Sequence, residues 1–208
     1  MRNLKKFLAL VLAMIMVVSA AAVVSADFTD VTADNIYADA INDLAVKGIV
    51  KGTTDTTFGP TQDVERYQMA LFMARALTGN TDNDADYQKG IVPFTDVTEY
   101  AGAIEYNYVN GIINGWTDIT GKLVFAPKSG ITYVQALKMA VCALGYTAEG
   151  ADWTWAYYNK AAALGLTNNM DITSLDDVLN RAETAQIIYN MLYAVPADGG
   201  RGARVRYG

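Results

Sequence analysis

The chain has 208 residues and a formal net charge of −6, with 22 acidic residues against 16 Lys and Arg. An acidic protein of this kind is repelled by nucleic acid and by anionic lipid, so we predict neither as a partner. Histidine is absent and Cys142 is the single cysteine. This composition removes the commonest general base and zinc ligand and any intramolecular disulfide, and we predict no catalytic residue, no metal site and no cofactor.

The N-terminus has the pattern of a secretory signal peptide. Three basic residues, Arg2, Lys5 and Lys6, precede an apolar run from Phe7 to about Val24. The run ends in Val24-Ser25-Ala26, small residues that suit a signal peptidase, so we predict cleavage of residues 1–26. A retained signal anchor is the alternative, because the run approaches the length of a bilayer span.

Two copies of one tetrapeptide set the register of the mature chain. Phe28-Thr29-Asp30-Val31 recurs as Phe94-Thr95-Asp96-Val97. After the first copy come Tyr37-Ala38-Asp39-Ala40-Ile41, Gly48-Ile49-Val50-Lys51-Gly52, Asp55, Phe58 and Pro60. After the second come Tyr100-Ala101-Gly102-Ala103-Ile104, Gly111-Ile112-Ile113-Asn114-Gly115, Asp118, Phe125 and Pro127. Self-similarity of this kind indicates a repeat protein.

A third, divergent copy is placed by its second half. Leu179-Asn180-Arg181-Ala182-Glu183 aligns with Val64-Glu65-Arg66-Tyr67-Gln68 and with Ile131-Thr132-Tyr133-Val134-Gln135. We therefore predict repeat 1 at 27–80, repeat 2 at 93–147, repeat 3 at 152–195 and a disordered tail at 198–208.

Apolar residues recur at helical spacing twice in each repeat, which predicts an all-α fold of helix-loop-helix units. In repeat 1 the helices end near Gly48 and Gly79-Asn80. In the other repeats we predict helices near Tyr100–Asn110, Tyr133–Leu144, Trp155–Leu164 and Arg181–Tyr193. One helix pair cannot bury its apolar face alone, so we expect a single pseudo-threefold assembly of tandem repeats.

Three residues in these elements are assigned to packing, and one segment to solvent. Cys142 lies on an apolar helix face and is predicted to be a buried small hydrophobe, and Trp153 and Trp155 are predicted to pack in the core. Asp82-Asn83-Asp84-Ala85-Asp86 has alternating acidic residues but lacks the turn glycine and the final Glu of a calcium loop. We interpret it as a solvated acidic linker.

The start of each second helix carries capping residues. Thr132 with Gln135, and Asn180 with Glu183, have the spacing of capping boxes. Glu65 with Gln68 is the corresponding pair in repeat 1. Asp30 and Asp96 are predicted to cap short turns in the same manner.

Arg66 and Arg181 occupy the first helical position, where the helix dipole disfavours a cation by roughly 0.3–1 kcal/mol. Two explanations are open. The arginines either form salt bridges to Asp30 or Asp63, or they join the free N–H groups of the helix in binding an acidic ligand group.

Taken in order, these motifs resemble the S-layer homology domain over about Phe28 to Tyr193. The resemblance implies a noncatalytic module that attaches exported proteins to the cell wall or S-layer of a bacterium. It implies binding of secondary cell-wall polysaccharide, often carrying ketal-linked pyruvate, in grooves between repeats, with no membrane contact after signal cleavage. The motif residues Arg66, Gln68, Arg181 and Glu183 would then face the acidic sugar.

Repeat 2 departs from that pattern, because Tyr133 replaces the arginine. We expect its groove to be weak, or to stack sugar on Tyr133. Trp116, in the loop after Gly115, is a candidate for stacking against a sugar. The alternatives to an anchoring module are a structural S-layer subunit and a fragment of a wall-active glycoside hydrolase.

Overall fold

The computed structural model describes residues 28–79 and 92–197, and in these ranges the chain is mainly helical. The helices are α1 (Ala38–Val46), α2 (Arg66–Thr78), α3 (Ala101–Val109), α4 (Tyr133–Ala143), α5 (Trp153–Ala163) and α6 (Arg181–Tyr193). Two short strands, β1 (Trp116–Thr117) and β2 (Leu123–Val124), form an antiparallel hairpin. None of the helices in the described ranges is long and apolar enough to cross a membrane.

The second helix of each predicted repeat begins where the capping pattern places it. The main-chain N–H of Glu65 donates to Gln68 Oε1 at 2.9 Å. In α6 the bonds are reciprocal, since Asn180 N donates to Glu183 Oε2 at 2.8 Å and Glu183 N donates to Asn180 Oδ1 at 2.9 Å. These bonds satisfy N–H groups that a helix start leaves without intrahelical partners.

The six helices pack in a regular order around one core. Helices α2, α4 and α6 contact one another at the centre. Each also carries an outer helix, with α3 packed on α2, α5 on α4 and α1 on α6. The first of these six helices therefore packs against the last, which joins the two ends of the described sequence. The largest fully buried side chains of this core include Leu44, Met69, Ile104, Leu137 and Leu166.

Three backbone segments meet just before α2, α4 and α6. Val64 N donates to Leu179 O at 2.9 Å, Leu179 N to Ile131 O at 2.9 Å, and Ile131 N to Val64 O at 2.8 Å. All three side chains are fully buried. Because buried main-chain groups must be paired, this closed cycle satisfies each segment with the next and fixes the starts of the three central helices relative to one another.

The glycines of the Gly-Ile-x-x-Gly motif lie beneath the phenylalanines of Phe-Thr-Asp-Val. A Cβ atom on Gly52 would lie 2.8 Å from the Phe28 ring, and one on Gly115 would collide with the Phe94 ring. Gly115 also has a φ of 65°, which disfavours other residues. The two motifs therefore depend on each other for packing.

The predicted burial of two tryptophans is wrong. Trp153 and Trp155 are 45% and 55% exposed, so they lie outside the core. Helix α5 begins at Trp153 because Asp152 accepts a hydrogen bond from Thr154 N at 2.9 Å, which caps the helix two residues earlier than predicted. As a consequence both indole rings lie on the first, exposed turn.

Cys142 is half-buried in α4, and its Sγ lies 3.8 Å from the Tyr157 hydroxyl oxygen. Burial raises the pKa of the Cys142 thiol, in keeping with a packing role. The predicted signal peptide, the acidic linker at 82–86 and the tail at 198–208 lie outside the described residues.

Candidate functional site

Arg66 lies at the first position of α2 with only 8% of its surface exposed. Its Nε donates to Phe125 O at 2.8 Å, and its Nη1 donates to Gln135 Oε1 at 2.6 Å. Burial lowers the pKa of Arg66 to about 10, and the negative charge of Asp96 partly offsets this effect. The guanidinium therefore remains a cation at neutral pH.

Arg181 has a closely related environment at the start of α6. Its Nε donates to Phe58 O at 2.8 Å, and its Nη2 donates to Lys51 O at 2.6 Å. Burial lowers the pKa of Arg181, with Asp30 acting in the opposite direction. Among the described residues, neither arginine is within ion-pair distance of Asp30 or Asp63. The salt-bridge explanation of the sequence analysis is therefore wrong.

The aspartates of Phe-Thr-Asp-Val bind the main chain that also holds the arginines. Asp96 Oδ1 accepts from Phe125 N at 2.9 Å, and Asp96 Oδ2 accepts from Ala126 N at 2.6 Å. Asp30 accepts from Phe58 N and Gly59 N, both at 2.8 Å. The prediction of a local cap is wrong in this respect, because the carboxylates reach a turn 28 to 30 residues further along the chain.

Tyr133 occupies the position of the arginine in α4 and has a different environment. It is 3% exposed, and its ring meets the Tyr158 ring edge-on with centroids 6.4 Å apart. Burial raises the pKa of Tyr133 to about 12, so the hydroxyl is neutral at physiological pH. The start of α4 therefore presents no cation at the position that Arg66 occupies in α2 and Arg181 in α6.

A groove of about 380 Å³ opens beside Arg66, which we call the Arg66 groove. It is lined by Arg66, Ile112, Ile113, Asn114, Gly115, Trp116, Gln135, Lys138, Met139 and Trp153. Its volume lies within the range of small-molecule sites. The lining combines two cationic side chains with two tryptophans.

Both tryptophans of the Arg66 groove are available to a ligand. Trp116, in β1, is 46% exposed, and Trp153 is 45% exposed. The Arg66 guanidinium carbon lies 5.2 Å from the centre of the Trp116 ring, and Lys138 Nζ lies 5.2 Å from that of Trp153. Each cation is therefore placed beside an aromatic face, in the range of cation–π attraction.

The structure brings together some of the residues that the sequence singles out and separates others. Arg66 and Trp116 line the same groove. Arg181, at the start of α6, and Tyr133, at the start of α4, lie in two other places outside this groove. Gln68 and Glu183 accept hydrogen bonds from their own helix starts.

Sequence reasoning missed Lys138 and Trp153 and treated Gln135 only as a cap. Lys138 lies on α4, whose Gln135 accepts a hydrogen bond from Arg66, and this contact between separate segments of the chain has no signal in the sequence.

These features define a helix-rich protein with a cationic and aromatic groove. Residues 27–70 match the family model described as the S-layer homology domain. This region is thus similar to the S-layer homology domain, a family of noncatalytic anchoring modules that bind cell-wall components in S-layer proteins.

Several curated proteins are similar to the chain. A "Cell surface protein" of Thermoanaerobacter kivui is 34% identical over 194 residues, covering 90% of this chain and 24% of that protein. An "Exoglucanase XynX" of Acetivibrio thermocellus is 31% identical over 189 residues, covering 81% of this chain and 16% of the enzyme. The "S-layer protein EA1" of Bacillus anthracis is 26% identical over 185 residues, covering 88% and 19%.

The chain spans no more than about a quarter of the length of these relatives. The family match and the cell-surface relatives identify a secreted protein associated with the cell wall.

Proposed function

We propose that the chain is a noncatalytic module that binds secondary cell-wall polysaccharide carrying ketal-linked pyruvate, and so attaches an exported protein to the bacterial surface. The observation that carries the proposal is the Arg66 groove. In this groove the buried guanidinium of Arg66 lies between the main-chain oxygen of Phe125 and the exposed ring of Trp116.

The chemistry of the groove suits an acidic sugar. Among the described residues, Nη2 of Arg66 has no protein partner, so it is free to bind an acidic group. A carboxylate that accepts from a guanidinium forms a charge-assisted hydrogen bond, and partial burial strengthens it. Lys138 adds a second positive charge to the lining of the groove. Trp116 and Trp153 offer flat apolar faces for the C–H surface of sugar rings.

The proposal includes a pseudo-threefold assembly of the repeats at 27–80, 93–147 and 152–195. The cyclic hydrogen bonds of Val64, Ile131 and Leu179 support it, since each segment donates to one neighbour and accepts from the other. The packing of each outer helix on the central helix of the preceding repeat supports it too. In such an assembly the Arg66 groove is the junction between repeats 1 and 2.

The groove itself argues against a glycoside hydrolase site. Glycosidases generally use two carboxylates on either side of the scissile bond. The residues that line the Arg66 groove include none. A catalytic or lattice-forming domain elsewhere in the full protein would be compatible with an anchoring role for this chain.

Co-sedimentation with purified cell walls tests the proposal. The mature chain should sediment with native walls and remain in the supernatant after mild acid treatment has removed the pyruvate ketals. Equal retention on treated and untreated walls would contradict the proposed ligand. Failure to bind native walls would contradict the anchoring function.

A further inference from the structure

We infer that residues 28–79 and 92–197 form a single complete anionic-sugar site, the Arg66 groove, and that the junctions at Arg181 and Tyr133 serve structural roles. The inference rests on the proposed function and deepens it by assigning stoichiometry and site. It departs from the sequence-based expectation, which gave Arg66 and Arg181 the same task.

The Arg181 junction has no counterpart of Lys138, the second cation of the Arg66 groove. Helices α2 and α4 begin at Arg66 and Tyr133, so Leu71 occupies in α2 the position that Lys138 occupies in α4. Leu71 packs against an apolar cluster with Ala74 and Ala103. A carboxylate at the Arg181 junction would therefore meet a hydrocarbon side chain where the Arg66 groove offers an ammonium.

The aromatic platform is missing at the same junction. Trp116 follows Gly115, the last glycine of Gly-Ile-x-x-Gly, and Thr53 follows the corresponding Gly52. A threonine has no flat ring on which a sugar can stack. The Arg181 junction thus lacks two of the groups that make the Arg66 groove suitable for an acidic sugar.

The two arginines also differ in how firmly the protein holds them. The second hydrogen bond of Arg66 goes to the side chain of Gln135, which can rotate away when a ligand arrives. The second hydrogen bond of Arg181 goes to the main-chain oxygen of Lys51, which cannot. Ring contacts do not separate the two arginines, because Arg66 lies 4.7 Å from the Phe125 ring centre and Arg181 lies 4.6 Å from that of Phe58. The hydrogen bonds make the difference. Arg181 is therefore held as a structural cation.

The third junction has lost both halves of the arrangement. Arg66 and Asp96 meet at Phe125, and Arg181 and Asp30 meet at Phe58. At the remaining junction Tyr133 replaces the arginine, and repeat 3 has no Phe-Thr-Asp-Val to supply the aspartate. This junction therefore lacks both the cation and the carboxylate that the other two junctions share.

Isothermal titration calorimetry with a methyl hexoside carrying a 4,6-linked pyruvate ketal tests this inference on the mature chain. We expect one site per chain. Arg66→Gln should weaken binding at least about tenfold, and Arg181→Gln should change it less than about twofold, with folding checked by circular dichroism. Two equivalent sites, or equal losses in the two variants, would overturn the inference.

A second pair of variants keeps the test valid if a buried arginine proves necessary for folding. Lys138→Leu installs the residue type of the Arg181 junction and should weaken binding about fivefold. Lys122→Leu, on the exposed hairpin, is the matched control and should leave affinity unchanged. An unchanged Lys138→Leu affinity would overturn the inference.

The outcomes separate this inference from the proposed function. If the saccharide does not bind to a chain that still sediments with native walls, the pyruvate site is refuted while wall anchoring stands. If the chain binds neither the saccharide nor native walls, both the pyruvate site and the anchoring function are refuted.

Discussion

Arg66 and Asp96 hold the same peptide group from opposite sides. Arg66 Nε donates to the carbonyl oxygen of Phe125 at 2.8 Å, and Asp96 Oδ2 accepts from the N–H of Ala126 at 2.6 Å. Arg181 and Asp30 hold the Phe58–Gly59 peptide in the same way. The Phe-Thr-Asp-Val motif therefore fixes the turn on which each arginine rests, and this explains why the motif and the arginine occur together.

This turn carries a strain that substitution can relieve. Ala126 has a φ of 53°, and Gly59 occupies the equivalent position with a φ of 73°. Because a left-handed conformation is unfavourable for residues with a Cβ, Ala126→Gly should raise the free energy of unfolding by about 1 kcal/mol. Chemical denaturation would measure the change.

Gly59→Ala is the matched reverse substitution. It should destabilise the protein, because the new Cβ would lie 2.8 Å from the Gln62 side chain in addition to the strained φ. A stabilising Gly59→Ala, or a destabilising Ala126→Gly, would contradict the equivalence of the two turns.

Asp96→Asn should weaken both the turn and the binding of ligand. The substitution keeps the shape of the side chain but replaces one acceptor oxygen with a donor, which cannot pair with an N–H group. We expect a loss of about 1–3 kcal/mol of stability and a several-fold loss of wall affinity at a temperature where the variant is folded. Denaturation and wall binding, measured on the same preparation, would check both effects.

Asp63→Asn serves as a control, since Asp63 makes no ion pair with either arginine among the described residues. If it lost as much wall affinity as Asp96→Asn, the loss could not be assigned to the turn that supports Arg66.

The two exposed tryptophans of α5 give a clean comparison. Trp153, which is 45% exposed, lines the Arg66 groove. Trp155, which is 55% exposed, packs edge-on against Tyr158 and does not line the groove. Trp153→Ala should weaken wall binding about tenfold, because tryptophans at the centre of a site carry a large share of binding energy. Trp155→Ala should have little effect. Equal effects would place the ligand elsewhere.

The sequence predicted most of the helices but not the groove. Capping boxes located the starts of α2, α4 and α6 because a helix start is determined locally, by residues three positions apart. The groove depends on long-range placement: Arg66 meets Phe125 and Gln135 from a separate segment of the chain. Register alone could not show that Lys138 and Trp153 would share a surface with them.

The burial of large aromatic residues was also predicted wrongly. Trp153 was assigned to the core by its size, although the cap at Asp152 turns it outward. The salt bridges that the sequence left open for Arg66 and Arg181 do not form, for a similar reason. The nearest acceptors are main-chain carbonyl groups, which carry no signal in the sequence.

Alkaline pH should destabilise the fold through buried phenols. Burial raises the pKa of Tyr133 and of Tyr67 to about 12, from an ordinary value of 10.0. Between these values the folded state binds more protons than the unfolded state, so stability is fully present below about pH 10 and falls as the pH rises toward about 12. Thermal midpoints measured from about pH 9 to about pH 12 would show the decline.

Tyr133→Phe removes one of the two phenols and should flatten part of this decline. Tyr108→Phe, at a position that is 36% exposed, controls for the general effect of losing a hydroxyl group. If the two variants had identical pH profiles, the assignment to Tyr133 would be wrong.

The packing of α1 on α6 should make the repeats unfold together. Leu44 in α1 is fully buried, and removing most of its side chain by Leu44→Ala should cost about 2–5 kcal/mol. Tryptophan fluorescence reports on β1 and α5, far from Leu44 in sequence. Because the proposed assembly is one cooperative unit, fluorescence and circular dichroism should show the same shifted transition. Separate transitions would indicate repeats that unfold independently.

The central claim is that the cation of Arg66 binds a carboxylate on the wall polymer. The most direct test measures dissociation constants for wild type and Arg66→Gln on native walls and on walls stripped of pyruvate ketals, as a double-mutant cycle. We predict that Arg66→Gln loses at least about tenfold in affinity on native walls and almost nothing on stripped walls. The same loss on both kinds of wall would contradict the claim.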